Sequence, residues 1–241
     1  VPGDVLDAGL PGGVRGLFTT RASGVGGGLV PHHRDRQTAN RDLLAREAAV
    51  SELGWAGQVH GTAVAVVTDH RDSPARRGGI PEVDGLVTTV VDLGLVIVAA
   101  DCMPVLFADV EAGVIGAAHA GRPGLVAGVL QATVATMIEQ GADASRIVAV
   151  VGPSICGRCY ELPTTMVAGL DERLPGLAAS TSWGTPSIDL RAGARVALAE
   201  AGVTDVRHVG GCTYEQPERF FSYRRDGTTA RHGGLIARDP S

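Results

Sequence analysis

Three short segments carry side chains that could do chemistry together: Gln58-Val59-His60-Gly61, Ala100-Asp101-Cys102-Met103-Pro104 and Ala118-His119-Ala120-Gly121. The two imidazoles and one thiolate of His60, Cys102 and His119 are good ligands for a single zinc ion. Three protein ligands leave the fourth tetrahedral position open, which is what separates a catalytic zinc from a structural one. Asp101, beside Cys102, is a candidate to orient an imidazole or a metal-bound water, or to act as general acid or base. The same residues also fit a metal-free chemistry. Cys102 and His119 would then pair as nucleophile and base, as in cysteine hydrolases, with His60 binding substrate. Taken singly, each has a plainer reading, because histidines are often packed core residues and cysteine often behaves as a small buried hydrophobe.

Cys156-Gly157-Arg158-Cys159 is a C-x-x-C. A redox motif of this kind opens a helix after a strand, whereas here the turn Gly152-Pro153-Ser154 intervenes. No second C-x-x-C completes a zinc ribbon, so the segment reads as a loop. Four cysteines in 241 residues are too few for a disulfide scaffold, and reduced thiols in a cytoplasmic protein are expected.

The elements that must hold these residues follow from apolar patterning. Leu95 to Ala100 is a continuous apolar run of strand length, expected to be buried on both faces, with Asp101 and Cys102 at its end. Val105–Ala108 and Val114–Ala118 predict two more strands, the second ending at His119, so that Cys102 and His119 could face each other. Leu125 to Ile138 repeats apolar residues at helical spacing and stops at Gly141; a strand over Ile147–Val151 follows. Strands are also expected over 16–21, 63–68, 84–89 and 206–209, and helices over Thr38–Leu53 and Leu190–Ala201. Residues 70–82 and 180–187 read as exposed loop and linker, and Gly24–Gly28 as a loop without dinucleotide-binding spacing. The pattern predicts a mixed α and β fold in one domain spanning 1–241.

The net charge of −5 argues against a nucleic-acid or anionic-membrane binder, although Tyr223-Arg224-Arg225 could hold a small anion. No run of about 20 apolar residues is present to cross a membrane, and no secretion signal is visible. The low histidine supply, seven with no His-x-His pair, argues against a multicopper cluster.

Read in order, the segments resemble the YfiH family, also described as laccase-domain or multicopper polyphenol oxidoreductase proteins. The resemblance rests on Phe18-Thr19-Thr20-Arg21, Asn40-Arg41, Gln58-Val59-His60-Gly61, Asp84-Gly85-Leu86-Val87-Thr88 and Ala100 to Leu106. It continues through Gly116 to Gly121, Gly152-Pro153-Ser154-Ile155 and Phe221-Ser222-Tyr223-Arg224-Arg225. It implies a four-layer α/β/β/α sandwich and a metal, zinc with copper as the alternative, held by residues matching His60, Cys102 and His119. It further implies purine nucleoside phosphorylase activity on adenosine and inosine, with adenosine deaminase and methylthioadenosine phosphorylase side activities. Amidase action on peptidoglycan precursors and copper-dependent laccase activity are the alternatives. The expected partners are a purine nucleoside and phosphate, acting on a monomer or homodimer. For phosphate, Arg41 is the first candidate, with Asn40, Arg122 and Arg224; Asp101, Cys102 and His119 are the candidates for the chemistry. Where the family usually reads His-Ala-Gly-Trp-Arg-Gly, this chain reads His119-Ala120-Gly121-Arg122-Pro123-Gly124, which moves an arginine one position earlier.

Overall fold

The structure, a computed structural model, describes residues 5–23, 42–68, 79–227 and 230–239. The expected glycine loop Gly24–Gly28 and the phosphate candidates Asn40 and Arg41 lie outside them. Two sheets stack face to face. The first has the order β1 (Val5–Asp7), β2 (Val14–Thr19), β13 (His232–Arg238), β6 (Leu93–Ala99), β3 (Glu52–Trp55). The second runs β12 (Asp205–His208), β9 (Val148–Val151), β7 (Met103–Asp109), β8 (Val114–Ala120), β5 (Gly85–Thr88), β4 (Val64–Val66). A small hairpin pairs β10 (Ala178–Ser180) with β11 (Pro186–Ile188).

Alternation along the strands builds the layers, because successive side chains point to opposite faces. On β6, Leu95 and Ile97 meet Leu106, Ala108, Ile115 and Ala117 of β7 and β8 between the sheets. Val96, facing away, packs with Leu44 and Ala48 of a helix over 42–48 (α1). Val105, Phe107, Val114 and Ala118 point to the other outer face. There they meet α3 (Val129–Glu139) and α5 (Leu190–Glu200), flanked by α2 (Arg122–Ala127) and α4 (Thr164–Arg173). Helix, sheet, sheet and helices make the expected four layers. No helix among the described residues is long and apolar enough to cross a membrane.

Several elements differ from the sequence reading. The helix expected to reach Leu53 ends by 48, and Leu53 lies in β3, paired in parallel with β6. The single helix expected over 125–138 is two, because Gly128 adopts φ +101° and caps α2 while opening α3. The strand expected to stop at His119 runs on to Ala120, so His119 sits inside β8. Helix α4 and strand β13 were not anticipated. Their apolar content is thin, and β13 opens on His232-Gly233-Gly234.

His232 sets a pH limit on this arrangement. It is fully buried at the start of β13, opposite Ala99 of β6, with Nε2 against the Pro153 carbonyl at 3.3 Å. Burial, only partly offset by that bond, holds its pKa down at about 4. The folded state therefore keeps the ring neutral while the unfolded chain takes up a proton below its ordinary value of 6.5. Its contribution is complete above about pH 6.5 and drains away towards pH 4, at up to about 1.4 kcal/mol per pH unit. In urea unfolding across this window, His232→Gln should show a shallower acid-side fall than the unmodified chain; parallel curves would refute this account.

Candidate metal-centred active site

One buried carboxylate assembles the site. Asp84, fully buried just ahead of β5, accepts the backbone N–H groups of Val59 (3.0 Å) and Gly61 (2.7 Å) on Oδ2. On Oδ1 it accepts the N–H of His60 (3.0 Å) and meets Nδ1 of His119 (2.8 Å). Burial pushes the Asp84 pKa up, but the bonds from His119, Gly61 and Val59 outweigh it and leave the carboxyl below its usual value. An ionised carboxylate can only accept, so Nδ1 of His119 carries the proton and Nε2 is the nitrogen left to bind a metal.

The loop bearing His60 is held against its own preference. Gln58 and His60 have φ of +35° and +63°, a region L-residues rarely adopt. The Gln58 side chain acts as an extra strand residue, donating to the Val98 carbonyl at 2.6 Å and accepting its N–H at 2.8 Å. Cys102 arrives differently. Residues 100–102 are the crossing from β6 in one sheet to β7 in the other, and the antiparallel β7–β8 pairing sets Pro104 opposite His119.

His60, Cys102 and His119 thereby offer ligand atoms all within 4.8 Å of one another. Nε2 of His60 lies 3.7 Å from the Cys102 sulfur, and the imidazoles pack edge to face with centroids 4.7 Å apart. Gly121 gives them room, since a Cβ there would lie 2.6 Å from His60 Cδ2 and 2.9 Å from Cys102 Sγ. Burial raises the Cys102 thiol, yet hydrogen bonding to His119 and His60 brings it down to about 6. Burial lowers His119, while Asp84 and Cys102 push it up to about 9. A thiolate flanked by imidazoles, one of them oriented by a carboxylate, suits a divalent d-block cation.

Asp101, read from sequence as an orienter or acid/base, turns away from the imidazoles. At φ +90°, its carboxylate accepts from Thr213 Oγ1 at 2.6 Å and from the Arg224 N–H at 2.7 Å. The imidazole orienter is Asp84 instead. Its signal was present as an acid inside the apolar stretch Val83–Val87, which the sequence reading took only as a strand lead-in. Burial raises the Tyr160 pKa, and the charges of Arg122, Cys102, Arg224 and Asp101 all act on its phenol. Arg224 lies over the Tyr160 ring at 5.1 Å and donates to the Glu161 carbonyl at 2.8 Å. Arg122 opens α2 and reaches Met166 Sδ at 3.2 Å. Arg225 is spent on the Thr213, Tyr214 and Phe220 carbonyls and on Asp226.

A family model described as multi-copper polyphenol oxidoreductase laccase matches residues 15–239. The chain belongs to that family. Among its relatives, a protein named purine nucleoside phosphorylase from Streptomyces coelicolor is 46% identical over 230 residues, 91% of this chain and 93% of that protein. Among solved structures of the family's fold, YlmD from Geobacillus stearothermophilus superposes with TM-score 0.86 at 30% identity, covering 96% of this chain and 95% of YlmD. The Bacillus licheniformis hypothetical protein YfiH gives TM-score 0.83 at 28% identity, with 94% and 93% covered. The resemblance drawn from sequence to the YfiH proteins therefore holds.

Replacing Asp84 with Asn keeps the shape but turns an amide N–H₂ towards at least one of four donors. The apparent affinity of the cluster for an added divalent metal, read by chelator competition, should fall about 10- to 100-fold, with a lowered melting temperature. Unchanged affinity would show that Asp84 does not organise these ligands.

Proposed function

We propose that the chain is a single-domain, zinc-dependent purine nucleoside phosphorylase that converts inosine or adenosine and phosphate to free base and ribose 1-phosphate. The observation that carries the reading is the Asp84-anchored His60–Cys102–His119 cluster with Arg122, Arg224 and Tyr160 beside it. The names borne by relatives such as the Streptomyces coelicolor protein support it.

The donor set suits zinc and lacks the histidines that a multicopper assembly needs. Two imidazoles and one thiolate make a three-ligand site, and the other Cys-rich cluster among the described residues contains no histidine. When bound, zinc supplies a Lewis acid that polarises the group placed in its open position. The chain's own residues do the rest. Arg122 and Arg224, with Arg41 and Asn40 as further candidates, hold the phosphate so that one oxygen faces the anomeric carbon. The new C–O bond forms as the C–N bond to the purine breaks, and the base takes up a proton as it leaves. Tyr160 stays protonated, because burial raises its pKa, and offers a hydroxyl donor to charge building on substrate. Adenosine deamination and methylthioadenosine phosphorolysis are side reactions of this same site in the reading.

Cys102 also supports a second reading. Its thiol, at about 6 and 3.7 Å from His60, has the features of a hydrolase nucleophile acting on an amide such as a peptidoglycan precursor.

Incubation with inosine and adenosine, with and without phosphate, separates the two. Free base with ribose 1-phosphate should form only when phosphate is present. His119→Ala should lower turnover at least 100-fold with loss of bound zinc. Arg224→Ala should chiefly raise the KM for phosphate. Base release without phosphate, or none at all, would discard the phosphorylase reading.

A further inference from the structure

A second group of metal-type donors lies apart from the first. Cys156, Cys159, Cys212 and Glu215 each present a ligand atom, all within 4.8 Å of one another. They come as two pairs at the same spacing, Cys156-Gly157-Arg158-Cys159 and Cys212-Thr213-Tyr214-Glu215. The first follows β9 and the second follows β12. Those strands are parallel neighbours, so both turns leave the same end of the sheet. A bridge between Ser154 and Cys212, with the Thr213 N–H on the Ser154 carbonyl at 3.2 Å, fixes one turn against the other.

We propose that Cys156, Cys159, Cys212 and Glu215 form a closed, four-ligand structural site for zinc, separate from the catalytic cluster. Thiolates bound tetrahedrally at about 2.3 Å from zinc lie about 3.8 Å apart, so the cluster needs only small side-chain adjustments. A backbone N–H already faces the sulfurs, that of Cys156 lying 3.4 Å from Cys212 Sγ. When a divalent cation binds, the three thiol protons pass to solvent. The remaining negative charge meets Arg158, 2.8 Å from Glu215, and Arg191, whose charge acts on Cys156 and Cys212. Arg191 also clasps both turns through the Ser154 and Gly211 carbonyls, at 3.1 and 2.9 Å.

The placement gives the ion a role. Each turn grips the residue before Cys102. The Ile155 N–H donates to the Asp101 carbonyl at 3.0 Å, and Thr213 Oγ1 donates to its carboxylate. Tyr160 follows directly on Cys159. Zinc here would tie the two turns into a strut behind the catalytic thiolate.

The test uses the full chain carrying Cys102→Ser, which removes the only thiol of the catalytic cluster. Elemental analysis after purification should find one tightly held zinc per chain, where the unmodified chain holds two. Cobalt(II) added to the apo form should give thiolate-to-metal charge-transfer absorption, a signature that leftover histidine sites cannot produce. Adding Cys159→Ser should remove both, and Glu215→Gln should weaken cobalt binding tenfold or more while preserving the charge-transfer band. No retained zinc together with no charge-transfer band in the Cys102→Ser chain would overturn the proposal. So would a mass two hydrogens lighter with blocked thiols, which would assign the cluster to a disulfide.

Discussion

The site depends on a carboxylate that could not exist where it is without its donors. Asp84 is out of water, and a buried charge costs several kcal/mol unless it is paired and hydrogen-bonded. Its three backbone donors belong to consecutive residues, Val59 to Gly61, and its fourth is a histidine on the neighbouring strand. Bonds to a charged acceptor contribute about 1.5–3 kcal/mol each, which is enough to hold His60 at positive φ and fix the His119 tautomer together. One interaction thus sets the backbone of His60 and the ring of His119.

The third candidate ligand obeys a different constraint. Cys102 lies where the chain passes from the five-stranded sheet to the six-stranded one, so its position follows from how the layers stack. Phe18 is part of that stacking, with its buried ring in the space that side chains at Gly152 and Gly234 would fill. Glycine at these two positions, and at Gly121 in the site, is needed for what its absence of side chain admits.

Much of this was legible in the residues. Leu95 to Ala100 announced a strand buried on both sides, and β7 and β8 followed from equally unbroken apolar runs. The three ligand candidates stood out together, because two imidazoles and one thiolate suit a single zinc with an open position. Asp84 was missed because in sequence it only leads into a strand, and the tertiary fold alone brings Val59–Gly61 and His119 around it. Asp101 is next to Cys102 in sequence, but its hydrogen-bond partners come from elsewhere. Its neighbour Cys102 faces the cluster, while its own carboxylate is claimed by Thr213 and Arg224, more than a hundred residues away. The C-x-x-C lacked a partner in sequence because Cys212 and Glu215 reach it only through the β9–β12 pairing.

The order of strands also governs how the chain can be made. Strand β13 fills the middle of the five-stranded sheet, bonded to β2 on one side and β6 on the other. As the chain emerges from a ribosome, β1 and β2 must wait beside an open edge until residues 232–238 appear more than two hundred positions later. The nascent chain can pair β7 with β8 and bring His119 to Asp84 well before that. The part of the fold that holds His60, Cys102 and His119 can therefore form ahead of a sheet that closes only once residues 232–238 are made. Until then, the edge of β2 that β13 will cover stays open to mispairing.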